Sequence, residues 1–308
     1  NQGLVLPGAI DRSLFFAVRP NGTPELRFWA LDIEESAVVD LAEVKPGKSL
    51  WLNYLLGIAE QFSQRGHQLM GLDIVFGGNL PVGAGVSSSA ALECGMAMTW
   101  NLLLNAGYNG SELAQLAQQS SHQFVGIPCG IMDQFSSVMG LENKVIKIDC
   151  RTLDYTYHDA DFANYSLILF DSNLQHSLFT SEYNNRRIEC EEGLSIINEN
   201  YPEINSFRDC NEELLIGLKS KMTDNVFRRS LYAVKEIKRV IEACAALDKG
   251  DIKTLGKLMF ETHDGLSKDY EVSCAELDYL VDLAKAEEDV IGSRLMGGGF
   301  GGCTITLV

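Results

Sequence analysis

Leu72, Ile74 and Phe76 alternate with less apolar neighbours, the two-residue period of a strand with one buried face. A few residues on, the pattern changes. From Ala90 to Asn105, Leu92, Met96, Met98, Trp100 and Leu102 to Leu104 cover every face, which predicts a helix buried all round. The stretch between the two is polar and glycine-rich, so strand, turn and helix are expected in that order. Upstream, residues 4 to 40 read as short strands at Leu4 to Ile10, Leu14 to Val18 and Leu26 to Leu31, broken by the Asn21-Gly22 turn. Trp51 to Gln61 repeats at helical spacing, with Leu52, Leu55, Leu56 and Ala59 on one face.

Beyond the buried helix, Asn109 and Glu112 fit a capping box for a helix starting near Ser111 and ending near Gly126. A further helix is expected from about Gly130 to Gly140, and Lys144 to Asp149 alternates as a strand. Tyr165 to Phe170 is an apolar strand leading to Asp171, and a domain boundary is placed just before it, near residue 162. The two parts are thus 1–162 and 163–308. Charged amphipathic helices fill the second part, at Glu182 to Asn198, Val226 to Leu247, Ile252 to Leu266 and Ala275 to Lys285. A strand, turn and strand from Ser293 to Val308 close it.

With 308 residues, the chain has room for two α/β domains, each with its own core. Its 25 Lys and Arg against 42 Asp and Glu leave a formal charge of −17, which repels polyanions beyond a local site. Nucleic acid and anionic membranes are therefore not expected as partners. Eight scattered cysteines without CxxC spacing read as reduced packing residues of a cytoplasmic protein, and no His lies at zinc-ligand spacing from a Cys pair. No apolar run is long enough to span a bilayer, and no signal peptide opens the chain. It begins at Asn1 without Met and stops inside an apolar strand pattern (Cys303, Ile305, Leu307), so trimmed ends are expected.

The polar stretch Pro81-Val82-Gly83-Ala84-Gly85-Val86-Ser87-Ser88-Ser89 carries candidate chemistry. Gly83 and Gly85 can take positive φ and bring backbone N–H groups close to an anion. Ser87, Ser88 and Ser89 add hydroxyl donors and helix caps, and the following helix would aim its positive end at the loop. No Lys-Ser or Lys-Thr pair follows the glycines, which excludes a Walker A loop. On these residues alone, a phosphate site and a glycine turn capping a core helix remain equal alternatives.

Three segments in order change that balance. The Gly83 to Ala91 loop, Cys129-Gly130-Ile131-Met132-Asp133-Gln134-Phe135 and Met296-Gly297-Gly298-Gly299-Phe300-Gly301-Gly302 resemble signature segments of the GHMP kinases. The wording is most similar to the galactose-phosphorylating branch, as is Ser181-Glu182-Tyr183-Asn184 with Arg186-Arg187. The opening Gly3 to Pro7 is similar to the residues just after that family's first motif. The resemblance implies an α/β (α+β) fold of two lobes, an N-terminal nucleotide-binding lobe and a C-terminal ferredoxin-like lobe, with the active site in the cleft. It implies ATP and Mg²⁺, with transfer of the γ-phosphoryl to the anomeric hydroxyl of galactose by a monomer whose partners are small molecules.

By the same resemblance, Gly83, Ala84, Gly85, Val86, Ser87, Ser88 and Ser89 hold the phosphates, with Ser89 also near Mg²⁺ and Trp51 beside the adenine. Asp133 is the base or electrostatic orienter of the sugar hydroxyl, and Gly130, Tyr183 and Gly299 border the sugar. From the residues alone, an acid in a helix's first turn can instead serve the dipole, and Trp51 or Tyr183 can be packing. Five glycines among Gly297 to Gly302 exceed what a turn requires.

Two departures stand out. The family's first motif, Arg-x-Asn-Leu-Ile-Gly-Glu-His-Thr-Asp-Tyr, is expected just before Asn1. Where the family places a Mg²⁺-binding glutamate, this chain has Ser121, which has no charge to offer a hard cation. The alternatives left are a kinase of a related sugar, such as N-acetylgalactosamine or arabinose, and a non-catalytic sugar sensor on the same fold.

Overall fold

The alternation at Leu72 to Phe76 forms a strand in which Leu72, Ile74 and Phe76 are buried and the residues between them are only partly so. The computed structural model describes residues 2–308 except 82, 163 and 175–178; the side chains of 179–181 and 183 also lie outside the description. In chain order come β1 (Leu4–Val5), β2 (Leu14–Pro20), β3 (Glu25–Ala30), β4 (Glu35–Asp40), α1 (Leu50–Gln64) and β5 (Leu72–Gly78). Helices α2 (Ser88–Leu104), α3 (Gly110–Ser120) and α4 (Met132–Met139) come next. Strands β6 (Lys144–Asp149), β7 (Tyr155–Asp159) and β8 (Leu167–Asp171) precede α5 (Phe179–Asn200) and α6 (Glu212–Leu218). Helices α7 (Asp224–Asp248), α8 (Ile252–Lys268) and α9 (Ala275–Ala286) lead to β9 (Gly292–Leu295) and β10 (Cys303–Leu307).

Contacts divide the chain into two units, one of them Pro7–Val82 with Ser87–Glu142. Its four-stranded sheet has the order β2-β5-β3-β4, with β3 and β5 parallel and the other pairs antiparallel. The inner face, with Leu26, Phe28, Leu72 and Ile74, packs in one cluster with Leu55, Ile58 and Phe62 of α1 and Met96 and Trp100 of α2. Burial of this kind, about 25 cal/mol per Å² of apolar surface, is the main force holding a sheet to its helices. The capping box at α3 forms in full: Glu112 N–H donates to Asn109 Oδ1 at 3.0 Å, and Asn109 N–H donates to Glu112 Oε2 at 2.7 Å. The expectation for α2 needs correction. It buries Ala90, Glu93, Cys94, Met96, Ala97 and Trp100 but leaves Leu102 68% and Met98 39% exposed, so one side faces outward. An apolar count around a helix does not fix its burial, because single exposed apolar side chains cost little.

The other unit takes the residues up to Leu6, Gly83–Val86 and Asn143–Val308. It contains two antiparallel sheets, β1-β6-β7 and β8-β10-β9, together with α5 to α9. The division falls at Glu142 and Asn143, ahead of the boundary near residue 162 expected from the sequence. The strands explain this, since β6 pairs with β1, and both β1 and β7 pack on α7. Strands β4 and β7 and helix α6 are additions to the elements expected from the pattern. None of the helices among the described residues is long and apolar enough to cross a membrane.

Candidate active site

The glycine-serine stretch forms a turn with three left-handed residues. Gly83 has φ +82° and Gly85 +73°, and Ser87 stands at φ +60°, ψ +42° as the residue capping α2. A serine in that conformation stores strain of a kind concentrated at ligand sites. Its side chain does not cap the helix, so the first-turn N–H groups of α2 keep their capacity for an anion. Gly83–Val86 belongs to the unit that also holds the second glycine run. Buried Ala84 accepts at its carbonyl from Cys303 Sγ at 2.9 Å. A Cβ on Gly85 would stand 3.2 Å from Gly302 Cα, a close approach of two backbones that, with the positive φ, explains the glycine. Val86 and Ser88 are half-buried on either side of Ser87.

The Ser87 hydroxyl is instead hydrogen-bonded to Asp133, in the first turn of α4. Burial raises the Asp133 carboxyl above its ordinary value, with the Ser87 bond pulling the other way. A carboxylate placed only to complement a helix dipole would be lowered. Among the described residues, no Lys, Arg or His forms an ion pair with it, so its proton affinity is available to a bound hydroxyl. Gly130, two residues before α4, leaves nothing within 4 Å of an added Cβ and is exposed, so the approach to that helix end is open.

A second carboxylate, Glu93, has no exposed surface and was not expected to have a role. Its Oε1 accepts from Ser121 Oγ at 2.5 Å and its Oε2 from Gln134 Nε2 at 3.2 Å. Burial lifts its pKa to about 7 against those two hydrogen bonds. Ser121 is itself buried, at the start of a π-helical turn, Ser121–Val125, that continues α3. Such turns recur where a helix must re-aim a side chain at a site. Ser89, one turn before Glu93 and on the same helix face, is hydrogen-bonded to the Tyr54 phenol. Burial, followed by the charge of Glu93, raises that phenol's pKa. The signal for Glu93 was available, because it is the single charge in the apolar stretch from Ala90 to Asn105.

Other expected site residues fall in varied surroundings. Trp51 begins α1, donates from its indole N–H to Glu35 Oε2 at 2.6 Å, and packs its ring against Phe28 and Phe76 at 6.4 and 5.7 Å. Those contacts make it part of the sheet's flank. Gly299, φ +82°, lies against Val272, whose carbonyl oxygen would be 2.0 Å from an added Cβ. The backbone of Tyr183 is in α5, and its side chain lies outside the described residues. Among the described residues, no group of three or more His, Cys, Asp or Glu side chains could hold a metal ion. A divalent cation that arrives on a nucleotide's phosphates needs few protein oxygens, and the half-buried Ser89 hydroxyl fits that demand.

Sequence models of the GHMP kinases match at 53–141, the N terminal domain, and at 232–308, the C terminal. The galactokinase of Roseiflexus sp. (strain RS-1) is 38% identical over 309 residues, covering 100% of this chain and 78% of that protein. The galactokinase of Thermotoga maritima is 38% identical over 307 residues, covering 100% of this chain and 84% of its own length. The chain belongs to the galactokinases of the GHMP kinase family. The solved Lactococcus lactis galactokinase, complexed with galactose, superposes with a TM-score of 0.95 at 29% identity, over 100% of this chain and 80% of that one. A Methanococcus jannaschii mevalonate kinase shares the GHMP kinase fold at TM-score 0.66 and 19% identity, over 100% and 84% of the two chains.

Proposed function

We propose that this galactokinase transfers the γ-phosphoryl group of ATP to the anomeric hydroxyl of galactose. The observation that carries the reading is Asp133, a carboxylate raised by burial, outside any ion pair among the described residues, and hydrogen-bonded to Ser87 at the end of the glycine turn. The sugar oxygen attacks the γ-phosphorus, the bond to the ADP oxygen breaks, and the hydroxyl proton passes to the Asp133 carboxylate. Backbone N–H groups of Gly83 to Ser89 and the start of α2 take the phosphate charge. When bound, Mg²⁺ would neutralise part of that charge, and Ser89 is the hydroxyl that would hold it. The family resemblance assigns Gly130, Tyr183 and Gly299 to the sugar and Trp51 to the adenine.

None of the eight cysteines is joined in a disulfide, which fits a reducing cytoplasm, and the molecule works there as a monomer on small molecules. Purified protein supplied with Mg-ATP and a panel of galactose, N-acetylgalactosamine and arabinose should release ADP fastest with galactose. Faster release with another sugar moves the assignment to a related kinase. Bound nucleotide without release on any sugar replaces the enzyme by a sensor.

A further inference from the structure

The unit that contains the second glycine run also contains an arginine with a side chain 1% exposed and no part in the transfer step. Arg229 of α7 donates from Nε to Glu189 of α5 at 3.2 Å, from Nη1 to the Asp269 carbonyl, and from Nη2 to Glu271 Oε2 at 2.6 Å. Arg186 of α5 donates to the Tyr270 carbonyl at 2.8 Å and the Glu271 carbonyl at 3.0 Å. Arg228 takes the Lys268 carbonyl at 3.0 Å and pairs with Glu271 at 2.7 Å. Four consecutive carbonyls, Lys268 to Glu271, are therefore each held by an arginine.

One cation suffices to cap the C-terminal end of a helix such as α8. Three arginines, one of them buried, carry a desolvation cost that capping does not require. The chain immediately beyond shows what the arrangement holds. Glu271 is left-handed at φ +52°, which turns the backbone so that the next carbonyl, that of buried Val272, accepts from Phe300 N–H at 2.6 Å. Gly299 fits against that same carbonyl, where no Cβ would fit. From there the glycine run reaches the phosphate turn through Gly302 beside Gly85 and through Cys303 Sγ on the Ala84 carbonyl.

We propose that Arg229, with Arg186 and Arg228, is a positioning residue for nucleotide binding. The three guanidinium groups fix the Lys268 to Val272 turn, the turn seats Gly299 and Phe300, and the glycine run seats Gly83–Val86. The inference rests on the reading of that turn as the phosphate site. A guanidinium can serve three acceptors in one plane and an ammonium cannot, so Arg229→Lys keeps the charge and loses the brace.

The test measures nucleotide dissociation constants by calorimetry and amide exchange over residues 296–303, for Arg229→Lys and for Arg208→Met. Arg208 pairs with Asp149 in the same unit, away from the turn, and gives the cost of losing an ion pair there. Arg229→Lys should weaken ATP about tenfold or more and speed exchange at Phe300, with kcat at saturating ATP close to wild type. Arg208→Met should do neither at an equal loss of melting temperature. Equal nucleotide affinities in the two variants, or unchanged exchange at Phe300, overturn the proposal. If Arg229→Lys does not fold, Glu271→Gln weakens the same contact and is read the same way. Binding and exchange need no turnover, so a wild type that binds ATP but phosphorylates nothing sinks the kinase reading and leaves this one open to the same measurements.

Discussion

Ser121 Oγ donates to Glu93 Oε1 at 2.5 Å, so at the position where the resemblance leads one to expect a charged ligand stands the hydrogen-bond partner of a different, buried carboxylate. Burial moves Glu93 from 4.5 to about 7. Between those values the native chain keeps a proton that the unfolded chain releases, so stability falls as pH rises through the window and levels off above it. The size is about 3 kcal/mol, from roughly 1.4 kcal/mol per pKa unit. Glu93→Gln removes this titration. Urea unfolding at pH 5, 6, 7 and 8 should show the variant gaining on wild type as pH rises, and a constant difference would contradict it.

Ser121→Glu introduces the residue expected from the resemblance but sets two carboxylates at hydrogen-bond distance in a buried site. Like charges there raise one pKa further and cost stability. The variant should melt below wild type at pH 8 and recover toward pH 6, without tighter Mg²⁺-nucleotide binding. A gain in Mn²⁺-ADP affinity by paramagnetic relaxation, with unchanged melting, would show that Glu93 leaves the position free to act as a ligand.

Asp133→Asn keeps the shape of the first turn of α4 and removes the proton acceptor. Turnover should fall by about 10² to 10⁴, while the ATP dissociation constant changes little. Because burial raises the wild-type carboxyl, the acid limb of kcat should lie above the ordinary carboxylate value of 3.8. Activity that survives in the variant would remove Asp133 from the mechanism.

Gly85→Ala meets two obstacles, φ +73° and Gly302 Cα at 3.2 Å. Strain of this kind costs more than about 1 kcal/mol. The variant should lose melting temperature and bind ATP more weakly, both read in one titration series by differential scanning fluorimetry. An alanine tolerated with full nucleotide affinity would mean that the close approach to the second glycine run is not needed.

Local rules made the loop and its helix legible, through positive φ at glycine and periodic apolar residues, whereas the Asp133 segment was singled out by family resemblance, since an acid in a helix's first turn can equally serve the dipole. Glu93 was legible only as an anomaly, the single charge in an apolar helix, and its surroundings came from the fold, which brings Ser121 and Gln134 to it from 28 and 41 residues away. The arginines around Lys268 to Glu271 were equally silent, because their acceptors are backbone carbonyls, which any sequence supplies. Leu102 shows the opposite error, an apolar residue that periodicity buries and the structure exposes.

The central claim is transfer to the anomeric oxygen of galactose, and the identity of the product tests it most directly. Incubation of the protein with galactose and Mg-ATP, then phosphorus and proton magnetic resonance of the sugar fraction, should show one phosphomonoester coupled to the anomeric proton, in amounts equal to ADP. A phosphate coupled to any other carbon, or ADP formed with no sugar phosphate at all, would contradict the account.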